Sequence, residues 1–208
     1  MIRTLIALLA LSVASPLVWA EENSPVSEEP TRSLLGYVEW ITLEPVGLRL
    51  KARLDTGALT SSLHSVDTER FERNGEPWVR FRVPVSDHQD DEGNLRALEF
   101  ERPLERTVLI KRKGTDSQRR YVVKLPVCIN GQSREAEFSL TDRGAFNYPA
   151  LLGRRVLADV AVVDPGAAFL ATDECPHKAH DEFEQDVIEV QFEDQTREED
   201  DIDDEPTE

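Results

Sequence analysis

The sequence predicts an all-β fold: a small closed β-barrel with one short helix near the C-terminal end of the domain. Three observations carry this expectation. Short runs of alternating apolar and polar residues recur throughout, and a two-residue period marks half-buried strands. Turn-forming pairs separate the runs: Glu44-Pro45, Asn74-Gly75, Lys113-Gly114 and Asn130-Gly131. Helical periodicity is plausible at one place only, near Leu151 to Ala158. Many short strands at such spacing remove exposed edges by closing into a barrel.

The elements follow in order. Met1 to Ala20 reads as a secretory signal peptide, with Arg3 as its positive start, Leu5 to Val13 as its apolar centre and Val18-Trp19-Ala20 as a cleavage site. The apolar stretch is short for a membrane anchor, and Ser12, Ser15 and Pro16 interrupt it. A periplasmic location of Gram-negative type follows, with membrane attachment only if the signal peptide is retained. Residues 21–32 are polar and acidic and read as a linker. The domain spans 33–172. Its strands are expected at Tyr37–Leu43, Val46–Leu54, Trp78–Val85, Thr107–Lys111, Tyr121–Ile129, Ala136–Leu140, Val160–Val163 and Ala168–Thr172. Asn130-Gly131 between two alternating runs predicts a tight hairpin. Ser86 to Asn94 reads as a solvated acidic insertion. Residues 173–208 form an acidic tail with too little apolar surface to fold.

The formal net charge of −17 belongs to that tail. Residues 173–208 hold 17 acidic and 2 basic residues, whereas residues 33–172 hold 20 of each. The balanced domain has no basic stripe with interleaved aromatics, so nucleic acid is not an expected partner. Two cysteines, Cys128 and Cys175, could bridge in an oxidising compartment or remain as separate thiols. Spacing alone leaves both readings open.

The functional signal is Asp55-Thr56-Gly57, at the point where an alternating run ends in a turn. By itself the tripeptide is equally an Asx turn. A second segment strengthens it: Pro149-Ala150-Leu151-Leu152-Gly153-Arg154 lies about 95 residues downstream, with strands and a hairpin between. The order resembles that of retropepsins. Gly36 to Trp40, Ala52 to His64, Leu140 to Arg143 and Pro149 to Arg154 together resemble a bacterial family of retropepsin-like aspartic endopeptidases. That family is also labelled an ATP-dependent zinc protease.

The resemblance implies a retropepsin-like closed β-barrel and peptide-bond hydrolysis at Asp55, Thr56 and Gly57. Ala58, Thr60, Ser61, Gly153 and Arg154 would support the loop. Such chemistry places a water between two carboxyls, one ionised and one protonated, and two carboxyls in near contact share a proton. The sequence holds one Asp-Thr-Gly. A two-fold homodimer with an Asp55 dyad is therefore expected. Within it, the Thr56 hydroxyl would bond across the axis. A flap is expected at Ile110 to Tyr121, with Arg112, Lys113, Gly114 and Arg119 facing substrate. Its basic character favours an acidic peptide or protein, or the protein's own acidic tail folded back over it.

No cofactor or metal is expected. The sequence has no phosphate-cradling glycine motif and no His-Glu-x-x-His. The one metal-like grouping is Cys175, His177 and His180. Retropepsins place an acid four residues after the catalytic Asp, to pair with the Arg of Gly-Arg. Here that position is Leu59, so Arg154 needs another partner, and Glu39 and Asp142 are the candidates. A non-catalytic peptide-binding module of the same fold and a zinc-dependent protease remain the alternative functions.

Overall fold

The computed structural model describes residues 32–85, 94–112, 115–172, 174–183 and 187–191. The expected signal peptide, nearly all of the linker, most of the acidic insertion, the tip of the flap and the distal tail lie outside the described residues.

The polypeptide enters through β1 (Ser33–Gly36), bends at Tyr37, and runs along β2 (Val38–Leu43) into β3 (Leu48–Leu54). In β3 the residues Leu48, Leu50, Ala52 and Leu54 are buried while Arg49, Lys51 and Arg53 face outward, as the two-residue period requires. After the Asp55 loop come β4 (Ser61–His64), β5 (Val66–Arg73), β6 (Glu76–Pro84) and β7 (Asn94–Pro103). A hairpin of β8 (Arg106–Arg112) and β9 (Thr115–Ile129) leads to β10 (Gln132–Thr141). The short β11 (Ala150–Leu152), helix α1 (Arg154–Val160) and β12 (Ala161–Asp164) follow. A 3-10 turn (His180–Phe183) precedes β13 (Val187–Gln191).

Six strands close a barrel in the order β10, β4, β11, β3, β2, β9, with β9 returning to β10. The architecture is the expected small all-β, retropepsin-like barrel with one short helix. β8 extends the sheet from β9, and β13, β7, β6 and β5 build a second, four-stranded sheet. One apolar core joins the two: Phe81 and Phe100 stack across β6 and β7 with centroids 5.5 Å apart, in the same cluster as Leu63, Leu125 and Phe138 of the barrel. The hairpins at Asn74-Gly75 and Asn130-Gly131 both have positive φ at their two central residues, the conformation that Asn-Gly supports and that matches strand twist.

Two expectations change. Ala168–Thr172 is not a strand. Phe169 has φ of 57°, and the backbone N–H groups of Leu170 and Ala171 donate to the Glu39 carboxylate rather than to a ladder. Order also extends past residue 172. Cys175 is bridged to Cys128, with Cα atoms 5.7 Å apart. Phe183 is fully buried, and β13 pairs antiparallel with β7 from Val187↔Leu98 to Gln191↔Asn94. The disulfide brings the segment to the barrel, and β7 offers it an open edge.

Candidate active site

The Asp55 loop joins β3 to β4, and β11 lies between those two strands. β11 runs parallel to β3 (Leu152↔Leu54) and antiparallel to β4 (Ala150↔Leu63). The loop therefore straddles the end of β11, and the Asp55 N–H donates to the Leu152 carbonyl at 2.9 Å. Asp55 Oδ1 accepts hydrogen bonds from the Gly57 N–H (2.9 Å) and the Ala58 N–H (3.1 Å). This is an Asx-type turn, and it fixes the carboxylate plane. Oδ2 has no hydrogen-bond partner among the described residues. Thr56 and Gly57 are exposed at the apex.

The floor of the loop comes from the Leu-Leu-Gly-Arg segment. The Arg154 N–H donates to the Ala58 carbonyl (2.9 Å) and the Arg155 N–H to that of Leu59 (3.2 Å). The Gly153 N–H donates to Ser61 Oγ at 3.1 Å, and Ser139 Oγ donates to the Ser61 carbonyl at 3.1 Å. Gly153 is present for space: a Cβ there would stand 2.5 Å from the Thr60 oxygen. Asp55, Thr56, Gly57, Ala58, Thr60, Ser61, Gly153 and Arg154, chosen from two distant motifs, thus form one continuous unit.

The Arg154 side chain behaves otherwise than expected. It is exposed, with no carboxylate partner among the described residues. Glu39 is fully buried and accepts the N–H groups of Gly36 (2.6 Å), Leu170 (2.8 Å) and Ala171 (3.2 Å). Asp142 Oδ1 accepts the Gly144 N–H at 2.7 Å. Both candidate partners are engaged by backbone, and it is the neighbouring Arg155 that pairs with Glu137, at 3.1 Å.

Of the flap residues, Lys113 and Gly114 lie outside the described residues and Arg112 ends β8. Arg119 is exposed on β9, where it lines a cleft of about 380 Å³ with Arg120, Tyr121, Ser65 and Asp142. The metal-like grouping is dissolved by the disulfide, which takes Cys175. His177 turns its ring toward the Cys175 carbonyl (Nδ1, 3.1 Å) and Arg49 (Nε2, 3.3 Å).

Known proteins share this architecture and these motifs. The profile of the RimB-like family, described as retropepsin-like aspartic endopeptidase RimB, matches residues 34–174. The chain belongs to the RimB-like family. A crystal structure of a Legionella pneumophila protein of unknown function is similar to this RimB-like chain at 35% identity and a TM-score of 0.57, covering 68% of this chain and all of the other. Proteins named probable alpha-L-glutamate ligase are also similar. One from Desulfotalea psychrophila is 32% identical over 67% of this chain and 30% of its own length. Another, from Shewanella pealeana, is 34% identical over 65% of this chain and 29% of its own length. The match therefore spans less than a third of those relatives.

Beside the loop, the RimB-like domain holds a buried cation to which the sequence assigned no role. Arg143 Nε donates to the Tyr148 carbonyl (3.0 Å) and its Nη1 to Ser62 Oγ (2.9 Å), and the guanidinium stacks on Phe146 at 4.7 Å. The Arg143 backbone N–H donates to His64 Nδ1 at 2.8 Å, so that ring nitrogen is an acceptor. Burial first, then the charges of Arg120 and Arg53, pushes the Arg143 guanidinium below its ordinary value. Burial and a hydrogen bond with Tyr37 push the Tyr148 hydroxyl up. Arg143 and Tyr148 thus tie the 142–149 loop to β4 and to Tyr37 at the bend between β1 and β2. Arg143 lies in one of the segments that carry the family resemblance, but its burial is not legible there.

Proposed function

We propose that this RimB-like protein is a periplasmic aspartic endopeptidase, active as a two-fold homodimer. A water between Asp55 and its symmetry mate attacks the peptide carbonyl. One observation carries the reading: a single Asp-Thr-Gly is anchored at an exposed loop apex, through Asp55 Oδ1 and through β11, while Oδ2 stays open among the described residues. The ionised member of the dyad takes a proton from the water, and the protonated member donates to the carbonyl oxygen. Each protomer supplies one of the two carboxyls. The Thr56 hydroxyl bonds across the axis, and the exposure of Thr56 supports this. The flap residues Arg112, Lys113, Gly114 and Arg119 cover a peptide or protein substrate, and their basic character supports an acidic one. The glutamate chemistry in the relatives' name points the same way. The signal-like N-terminus and the Cys128–Cys175 bridge support an oxidising periplasm.

Asp55→Asn tests this directly. Peptide hydrolysis should fall on the order of a thousand-fold or more, while sedimentation still shows a dimer. A protein that hydrolyses peptides as a monomer, or that tolerates Asp55→Asn, overturns the dyad.

A second reading has one observation in its favour. The matched region is a minor part of proteins named as ligases, so the same barrel could serve as a non-catalytic peptide-binding module. Peptide binding by a dimer that never cleaves, unchanged in Asp55→Asn, would favour it.

A further inference from the structure

Charge in this protein is segregated. Residues 192–208, beyond the last described strand, hold ten acidic residues and one basic residue. The outer face of β3 has the opposite sign. Arg49, Lys51 and Arg53 stand there at alternate positions, spaced by about 6.6–6.8 Å, the same-face repeat of any extended strand. Trp40 lies opposite Lys51, with the Arg49 guanidinium 4.6 Å and the Lys51 ammonium 5.4 Å from its ring centroid. Neither Lys51 nor Arg53 pairs with a carboxylate among the described residues. The positive region continues sideways from Arg53 to the buried Arg143 and on to Arg120, close enough for both to act on the Arg143 charge. Glu39 is buried against backbone N–H groups, and Asp142 caps Gly144.

The segment that follows the barrel already lies at the start of this row. The Lys178 N–H donates to the Gly47 carbonyl at 3.0 Å, and His177 meets Arg49 at 3.3 Å. It then turns back to the second sheet through β13 and leaves at Gln191. An extended segment of the length of 192–208 reaches up to about 55 Å, against roughly 40 Å across a domain of this size. Reach sets no limit, and Coulomb attraction decides where such a segment rests.

We propose that residues 192–208 dock in cis along the outer face of β3, with their carboxylates on Lys51 and Arg53, beside the Asp55 loop. The site differs from the flap, where the sequence first suggested it: Lys51 and Arg53 stand exposed at alternate positions of a central barrel strand. The inference stands whether or not the protein hydrolyses peptides.

Zero-length carbodiimide coupling of carboxylates to lysines in the full-length protein tests it, read by mass spectrometry at low ionic strength. The expected product joins Lys51 to a tail carboxylate within one molecule, as shown by mixing isotopically light and heavy protein. Its yield should drop at about 1 M salt, where screening acts within about 3 Å. Arg53→Glu should lower it about five-fold or more while links to Lys124 stay unchanged. Tail links confined to Lys124 or Lys178, links mainly between light and heavy molecules, or indifference to Arg53→Glu would each overturn the proposal.

Discussion

Gly153 lies so close to Thr60 that a methyl group on its Cα would stand 2.5 Å from the Thr60 carbonyl oxygen and 2.8 Å from its nitrogen. Both neighbours are backbone, so neither can swing aside. Gly153→Ala should therefore push the Asp55 loop away from β11. Overpacking of this kind costs about 1–3 kcal/mol, readable as a lower urea midpoint, and Asp55-dependent hydrolysis should fall with it. An unchanged midpoint with full activity would contradict the packing described.

Arg143 serves two acceptors at once, the Tyr148 carbonyl and Ser62 Oγ. A lysine has the charge but not the planar fork. Arg143→Lys should cost about 1–3 kcal/mol and loosen the 142–149 loop. Amide hydrogen exchange is expected to rise there first, while β5 and β6 keep their protection. Uniform exchange across both sheets would argue against a local role.

The Cys128–Cys175 bridge closes a sequence separation of 47 residues. Loop-closure entropy gives such a link about 4 kcal/mol at most. Serine at both positions should lower stability by about 2–4 kcal/mol and expose the 174–183 segment to proteolysis before the barrel. Reductant should do the same to the natural protein and leave the serine variant unaffected.

Glu137 accepts from Arg106 and Arg155, joining β10 to β8 and to the helix that follows Gly153. The Arg106 hydrogen bond above all, and the charges of both arginines, hold its carboxyl below the usual carboxylate range. A carboxyl with a lower value in the folded protein adds stability above its unfolded value, about 4.3. That contribution fades as pH falls toward the folded value. The stability gap between the natural protein and Glu137→Gln, followed by urea unfolding, should thus be widest near neutrality and shrink below about pH 4. A gap independent of pH would show that the pair contributes nothing.

Much of the fold was legible from residue order. β2, β3, β6, β9 and β10 show plain alternation, because each buries one face in the barrel or the joint core. β5 escaped notice because none of its residues is buried, and β7 because the adjacent Ala97 and Leu98 are both buried, which breaks the two-residue period. Ala168–Thr172 misled in the opposite direction. It looks like a strand, yet its N–H groups go to a carboxylate 131 and 132 residues away.

Local period and residue identity suffice to make this protein a barrel and to assign Asp55-Thr56-Gly57 and Leu151 to Arg154 to one site. They also show a single Asp-Thr-Gly, and so one such carboxylate in each copy. Other features exist only once the strands have assembled. Cys128 reaches Cys175, Glu39 and Asp142 are spent on backbone amides instead of Arg154, and Arg143 is buried beside Arg53 and Arg120. Each depends on which distant segments meet in space, and the spacing of residues in a sequence does not encode that distance.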